Sequence, residues 1–206
     1  MRRLLPLMVT ALLATACGDG SSSKAAPRSP ELSRLDLDEI VLQQDEAPEG
    51  TSYLAERSGL LELDDLWPSD CCPGQQVLFE EAGFETAYAG VFEKPGYSGE
   101  PIDTRPGWEL VSSAAVLFET TTGASSALGA WLAYYESPVL DRLPTDDLGE
   151  EGIGLMGSPN APAEIFYLYL WRVDRAVFSV RVSAGAGTVS SEEVRALVDL
   201  MYARIS

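Results

Sequence analysis

The stretch EIFYLYLWRVDRAVFSVRV, residues 164–182, constrains the fold more than any other part of the chain. It joins two runs rich in β-branched and aromatic residues at a two-residue turn, Val173-Asp174. In that register Ile165, Tyr167 and Tyr169 face Val182, Val180 and Phe178. On the other side Phe166, Leu168 and Leu170 face Arg181, Ser179 and Val177. One face is wholly apolar and the other mixed, which predicts an antiparallel hairpin buried on one side and partly covered on the other. Asp174 tolerates the left-handed backbone that such a turn needs.

The segment after the hairpin is equally directive. SAGAGT (183–188) interrupts the strand pattern, and Ser190 with Glu193 has capping-box spacing. Val194, Leu197, Val198, Met201 and Ile205 then recur at helical spacing, predicting a C-terminal helix over 191–204 with one apolar stripe. Upstream, WELVSSAAVLFET (108–120) reads as a strand. GASSALGAWLAYYE (123–136) reads as a helix that ends before Pro138, with Ala124, Ala127, Leu128, Trp131 and Tyr135 on one stripe. CCPGQQVLFEEAGF (71–84) predicts a short helix with Pro73 in its first turn and Gly83 past its end. ETAYAGVFEK (85–94) predicts a strand interrupted at Gly90, and EIVLQ (39–43) a short first strand. Strands and helices mix without strict βαβ alternation. The expected class is therefore α+β, a mostly antiparallel sheet with helices packed on it, ending in a hairpin and a C-terminal helix.

The N-terminus carries an address. MRRLLPLMVTALLATAC opens with Arg2 and Arg3, continues with an apolar run from Leu4 to Leu13, and reaches small residues before Cys17. That is the layout of a signal peptide, and the run is shorter than the roughly 20 residues that span a bilayer. LLATAC resembles the lipobox of bacterial lipoproteins, with Ala14 where that family favours leucine. The resemblance implies cleavage before Cys17 and a lipid on its thiol. The expected division is a leader over 1–16, a lipidated flexible tether over 17–35, rich in small and polar residues, and a single α+β domain over 36–206. The domain runs from GF and a strand through AAVLF-x-x-x-x-GA leading into a helix, then DLGEEG, a hairpin with WR at its turn and a capped terminal helix, and this order resembles small secreted or lipid-anchored α+β proteins of the Mog1/PsbP-like type. This resemblance implies an extracytoplasmic accessory or ligand-binding role and supplies no catalytic residue.

The charge narrows the partners. The chain has 14 basic and 32 acidic residues, and loss of Arg2 and Arg3 with the leader takes the net charge from −18 to −20. Such a surface disfavours nucleic acid and suits a cationic or envelope protein partner. No histidine is present, which removes Ser-His-Asp and Cys-His catalysis and the usual zinc ligand sets. The acidic pairs Asp64-Asp65, Asp146-Asp147 and Glu150-Glu151 read as solvated surface. Gly152-Ile153-Gly154-Leu155-Met156-Gly157 matches a dinucleotide fingerprint, but SPNAP (158–162) follows where a helix would be needed, so the segment reads as a flexible loop.

Two further sets of residues are candidate sites. Trp131 and Trp171 lie on elements with apolar partners and read as core, whereas Trp67 and Trp108, beside Pro68 and Gly107, are the candidates for an exposed aromatic binding surface. With Cys17 lipidated, Cys71 and Cys72 have only each other inside the chain. The pair is open to three readings: inert packing thiols, a vicinal disulfide that rigidifies a turn, or a redox or soft-metal site. The functional expectation is a membrane-anchored, non-enzymatic binding or accessory module that needs no cofactor, in the cell envelope and facing the periplasm or exterior. The alternative is a histidine-free, carboxylate-based hydrolase.

Overall fold

The structure, a computed structural model, describes residues 37–96, 107–135, 138–158 and 164–205. The leader, Cys17 and the tether lie outside the described residues. Eight strands form one antiparallel sheet: β1 (Ser52–Tyr53), β2 (Gly59–Leu61), β3 (Phe84–Glu93), β4 (Trp108–Phe118), β5 (Leu140–Leu143), β6 (Glu151–Gly157), β7 (Glu164–Val173) and β8 (Ala176–Gly185). Their spatial order is β1-β3-β4-β8-β7-β6-β5, with β2 beside β1 on the outer side of β3. The helices are α1 (Leu37–Ile40), α2 (Leu63–Leu66), α3 (Pro73–Glu81), α4 (Thr121–Tyr135) and α5 (Ser191–Tyr202). The class is α+β, as the hairpin and terminal helix predict.

Both faces of the sheet are covered. On one, α1 and α5 close a core that includes Phe92, Tyr167, Trp171, Phe178 and Val198. On the other, α2, α3 and α4 cover a second core around Phe79, Phe118, Leu128, Trp131 and Leu170. The hairpin supplies both. Its wholly apolar face lies under α5, and its mixed face lies under α4.

The turn sits one residue later than the sequence suggests. Val173 pairs with Ala176, so the turn is Asp174-Arg175, and Tyr167 faces Val182 where Val180 was expected. Every partner moves by two residues, so each side chain keeps its face. Asp174 has φ 52°, the left-handed conformation anticipated for it. At α5 the capping box forms: Glu193 N donates to Ser190 Oγ, and the Glu193 carboxylate accepts from Ser190 N. Those Ser190 groups hold the Glu193 carboxyl below its usual range. Val194, Val198, Met201 and Ile205 are buried, and Leu197 is half-buried.

Three local expectations are corrected. Residues 39–43 do not form a strand: α1 ends at Ile40, and Val41 and Leu42 lie buried across the sheet. Side chains, not a ladder, satisfy that backbone. Leu42 N donates to Ser113 Oγ at 3.0 Å, and Arg204 Nη1 donates to the carbonyls of Ile40 and Val41. Gly90 does not interrupt β3. A Cβ there would lie 2.4 Å from the Leu42 carbonyl oxygen, so glycine admits the crossing segment. The Gly152–Gly157 segment is strand β6, not a loop. A Cβ at Gly154 or Gly157 would press on Leu143 or Leu140, so these glycines let β5 fold back closely.

Helix α4 starts on a Thr120 cap, whose Oγ1 accepts from Gly123 N at 3.0 Å. Gly129 lies further along this helix with nothing within 4 Å of an added Cβ. Gly129→Ala is therefore expected to stabilise the fold by about 0.5–1 kcal/mol, read from the urea midpoint. A loss of stability would contradict the open space seen there. Among the described residues, no helix is long and apolar enough to cross a membrane.

Candidate functional site

The mixed face of the hairpin holds the most distinctive chemistry in the molecule. Along one row of the sheet, Val91, Ser112, Arg181 and Leu168 are consecutive cross-strand partners on β3, β4, β8 and β7. The next row runs Ala89, Ala114, Ser179, Leu170. The four positions of β3, β4 and β8 in these rows apart from Val91 and Arg181 are alanine or serine: Ala89, Ser112, Ala114 and Ser179. A helix laid over such a surface cannot follow it down, and an open cavity of about 660 Å3 remains between the sheet and the helical layer. That volume falls within the range of small-molecule sites.

Ala89, Ala114, Ser112 and Ser179 form the floor, with Arg181 among them. Ser179 is buried and Ser112 half-buried. Trp131 and Tyr135, from the last turns of α4, make one wall. A second wall, joined to the first where Trp67 packs on Trp131, is the end of α2 and the loop after it, from Asp64 to Asp70. Glu56, Asp64, Asp65 and Asp70 are exposed at the mouth.

Arg181 is half-buried, and its Cζ lies 5.6 Å from the Phe166 ring centroid and 6.0 Å from that of Tyr135. Phe166 on β7 and Tyr135 on α4 stack on each other, and the guanidinium lies against both rings. Its Nε is covered and has no hydrogen-bond partner among the described residues. Ion pairs hold Arg57, Arg172, Arg175, Arg195 and Arg204, but none reaches Arg181 among the described residues. Burial pushes the Tyr135 phenol up, and the positive charge of Arg181 acts against that shift.

The candidate aromatic surface of Trp67 and Trp108 does not exist as one surface. Trp67 is only 5% exposed. It packs edge-on against Phe79, Trp131 and Tyr134 at centroid distances of 5.5, 5.8 and 5.1 Å. Trp108 is half-buried against the core on the opposite face of the sheet. The irregular sequence around Trp67 is a loop that turns inward, so the residue became a cavity wall. Trp131 and Trp171 are core residues, as their elements imply.

Cys71 and Cys72 are bonded to each other, with Cα atoms 3.8 Å apart. They sit directly before Pro73, the first residue of α3, and follow Asp70 at the lip of the cavity. Both backbone N–H groups donate to the Pro68 carbonyl, and Cys72 Sγ lies 3.7 Å from Tyr134 Oη. The acidic pairs are distributed. Asp64 accepts from Ser69 N, and Asp65 accepts from Glu62 N at the start of α2. Asp147 pairs with Arg195, which holds its carboxyl below the usual range. Glu150 and Glu151 both pair with Arg172, whose side chain is 8% exposed.

Residue patterns had not brought Arg181, Ser112, Ser179, Trp131 and Tyr135 together. The available signal was the run of small residues in two strands, Ala87 and Ala89 with Ser112 to Ala115, beside a hairpin face carrying arginine and serine.

No family model matches the chain, and no curated protein matches it. Among solved structures, the chain is similar to the extracellular domain of PknH from Mycobacterium tuberculosis. The TM-score is 0.51 at 11% identity, over 84% of this chain and 96% of that one. At that identity the likeness is one of fold.

Proposed function

We propose that this protein is a lipid-anchored extracytoplasmic binding module, not an enzyme, which holds a small molecule in the cavity between sheet and helices. The observation that carries this reading is Arg181 in the cavity floor. Among the described residues no carboxylate pairs with this half-buried cation, so an incoming carboxylate can pair with it. The small floor residues and the aromatic wall supply shape and apolar contact around it.

The solved neighbour is an extracellular domain, which supports a place outside the cytoplasm. The lipobox-like LLATAC supports an anchor at Cys17, and the element order similar to Mog1/PsbP-like lipoproteins agrees with both. The acidic surface favours a cationic or envelope protein partner over nucleic acid. The hydrolase alternative has less support. The carboxylates lining the cavity are exposed at its mouth, and Asp64 and Asp65 accept hydrogen bonds from nearby backbone.

Two measurements test the reading. Cys17→Ser is expected to move the protein from the membrane fraction to the soluble fraction. An unmodified Cys17 in the mass of the wild-type mature N-terminus would end the anchor. The released Cys17→Ser protein should bind N-phenyl-1-naphthylamine, a neutral apolar probe, with saturable fluorescence enhancement. Adding Ala114→Trp fills the floor and should abolish that enhancement. Equal enhancement by both proteins, or none by either, would end the cavity reading.

A further inference from the structure

We infer that the cavity takes a small zwitterion, with its carboxylate inward on Arg181 and its ammonium group outward at the acidic mouth. The inference rests on the proposed binding role of this cavity and adds the chemical class of the ligand.

The inward half follows from the floor. Ser112 is the direct cross-strand partner of Arg181, and Ser179 lies two residues along the same strand on the same face. Neighbours of these two kinds are separated by about 5 Å and roughly 7 Å. A carboxylate seated on the guanidinium has two oxygens and about four acceptor positions, so it can also accept from one or both hydroxyls. Because Nε is covered, the ligand meets the Nη pair end-on. The Phe166 and Tyr135 rings fix the guanidinium before the ligand arrives, which limits the ordering cost of binding.

The outward half follows from charge. Glu56, Asp64, Asp65 and Asp70 ring the entrance. Among the described residues the cavity is lined by one cation besides Arg181, namely Arg57, which is tied to Glu93 at 3.0 Å. A polyanion such as a phosphate ester would meet this negative ring, and the negative field of the whole chain, before reaching Arg181. A zwitterion carries no net charge. Its dipole aligns with the field of the site, negative end at the floor and positive end at the rim. Trp131 and Tyr135 stand between the two and suit a flat apolar body.

The test displaces N-phenyl-1-naphthylamine from the Cys17→Ser protein with three matched probes. Glycyl-L-phenylalanine carries both charges, its C-terminal amide lacks the carboxylate, and its N-acetyl form lacks the ammonium. The free dipeptide is expected to displace the dye at least ten-fold more tightly than the amide, and more tightly than the N-acetyl form. Arg181→Met is expected to bring the free dipeptide down to the amide's affinity, read by direct calorimetric titration of each probe. Equal affinity for dipeptide and amide, tighter binding of the N-acetyl form, or an undiminished carboxylate preference in Arg181→Met would each overturn the inference. Dye bound in the cavity with none of the three displacing it would overturn the zwitterion and leave the binding role standing. No dye binding in the cavity would remove the binding role itself.

Discussion

Trp67→Ala is expected to lower the stability of the folded domain by about 3–5 kcal/mol, the usual cost of emptying a buried tryptophan site. The ring touches Phe79, Trp131 and Tyr134, which come from two different helices. It closes the last turn of α2, where Trp67 N donates to the Leu63 carbonyl at 2.8 Å. Its loss should detach the 64–70 wall from α3 and α4, so dye binding should fall along with stability. Trp108→Ala, at a half-buried position on the far face, should cost less than half as much and leave dye binding intact. Urea unfolding of the two variants decides the matter. Equal costs, or a loss below about 1 kcal/mol at Trp67, would mean that this aromatic cluster does not hold the wall.

Gly90→Val carries the second large effect, about 3 kcal/mol, at the upper end of the usual range for overpacking. The new side chain would begin 2.4 Å from the Leu42 carbonyl oxygen, in a place that backbone already fills. Either the 41–42 segment lifts or β3 bends. The same crossing depends on Ser113, whose hydroxyl accepts from Leu42 N and donates to the Gly90 carbonyl at 3.2 Å. Ser113→Ala strands a buried N–H and should cost about 1–3 kcal/mol. Both changes attack one contact, so the double variant should lose less than the sum of the two. Strict additivity in urea unfolding would show that the crossing segment does not link them.

The elements legible in the sequence were those whose pattern is local. The hairpin faces survived an error in the turn because pairing parity, not the turn residue, decides which side of the sheet a residue occupies. The α5 helix was legible because its cap and stripe fall within sixteen residues. The misread segments depended on distant partners. Ile40 to Leu42 is apolar and short, which suits a strand or a buried crossing equally. What separates the two is Arg204, more than 160 residues away, reaching back to its carbonyls. Trp67 looked exposed because it stands beside Pro68 in irregular sequence, and only α3 and α4 reveal what covers it. The cavity was half visible. The mixed face carrying Ser179 and Arg181 was apparent, but the small residues of β3 and β4 that complete the hollow come from strands far off in sequence.

The bracket between the two ends of the domain bears on how it would present itself. Arg204 joins α5 to the backbone of Ile40 and Val41 and to the Glu46 carboxylate. The first described residue, Leu37, is therefore fastened to the side of the sheet that α5 covers, whereas the cavity lies on the side covered by α4. A lipid attached through residues 17–35 would hold the domain by its back. The chain would pull on a point clamped at both ends of the fold and separated from Arg181 by the full thickness of the sheet. Tension passed along the tether would reach the α1–α5 side first, and the cavity would be shielded from it by the sheet.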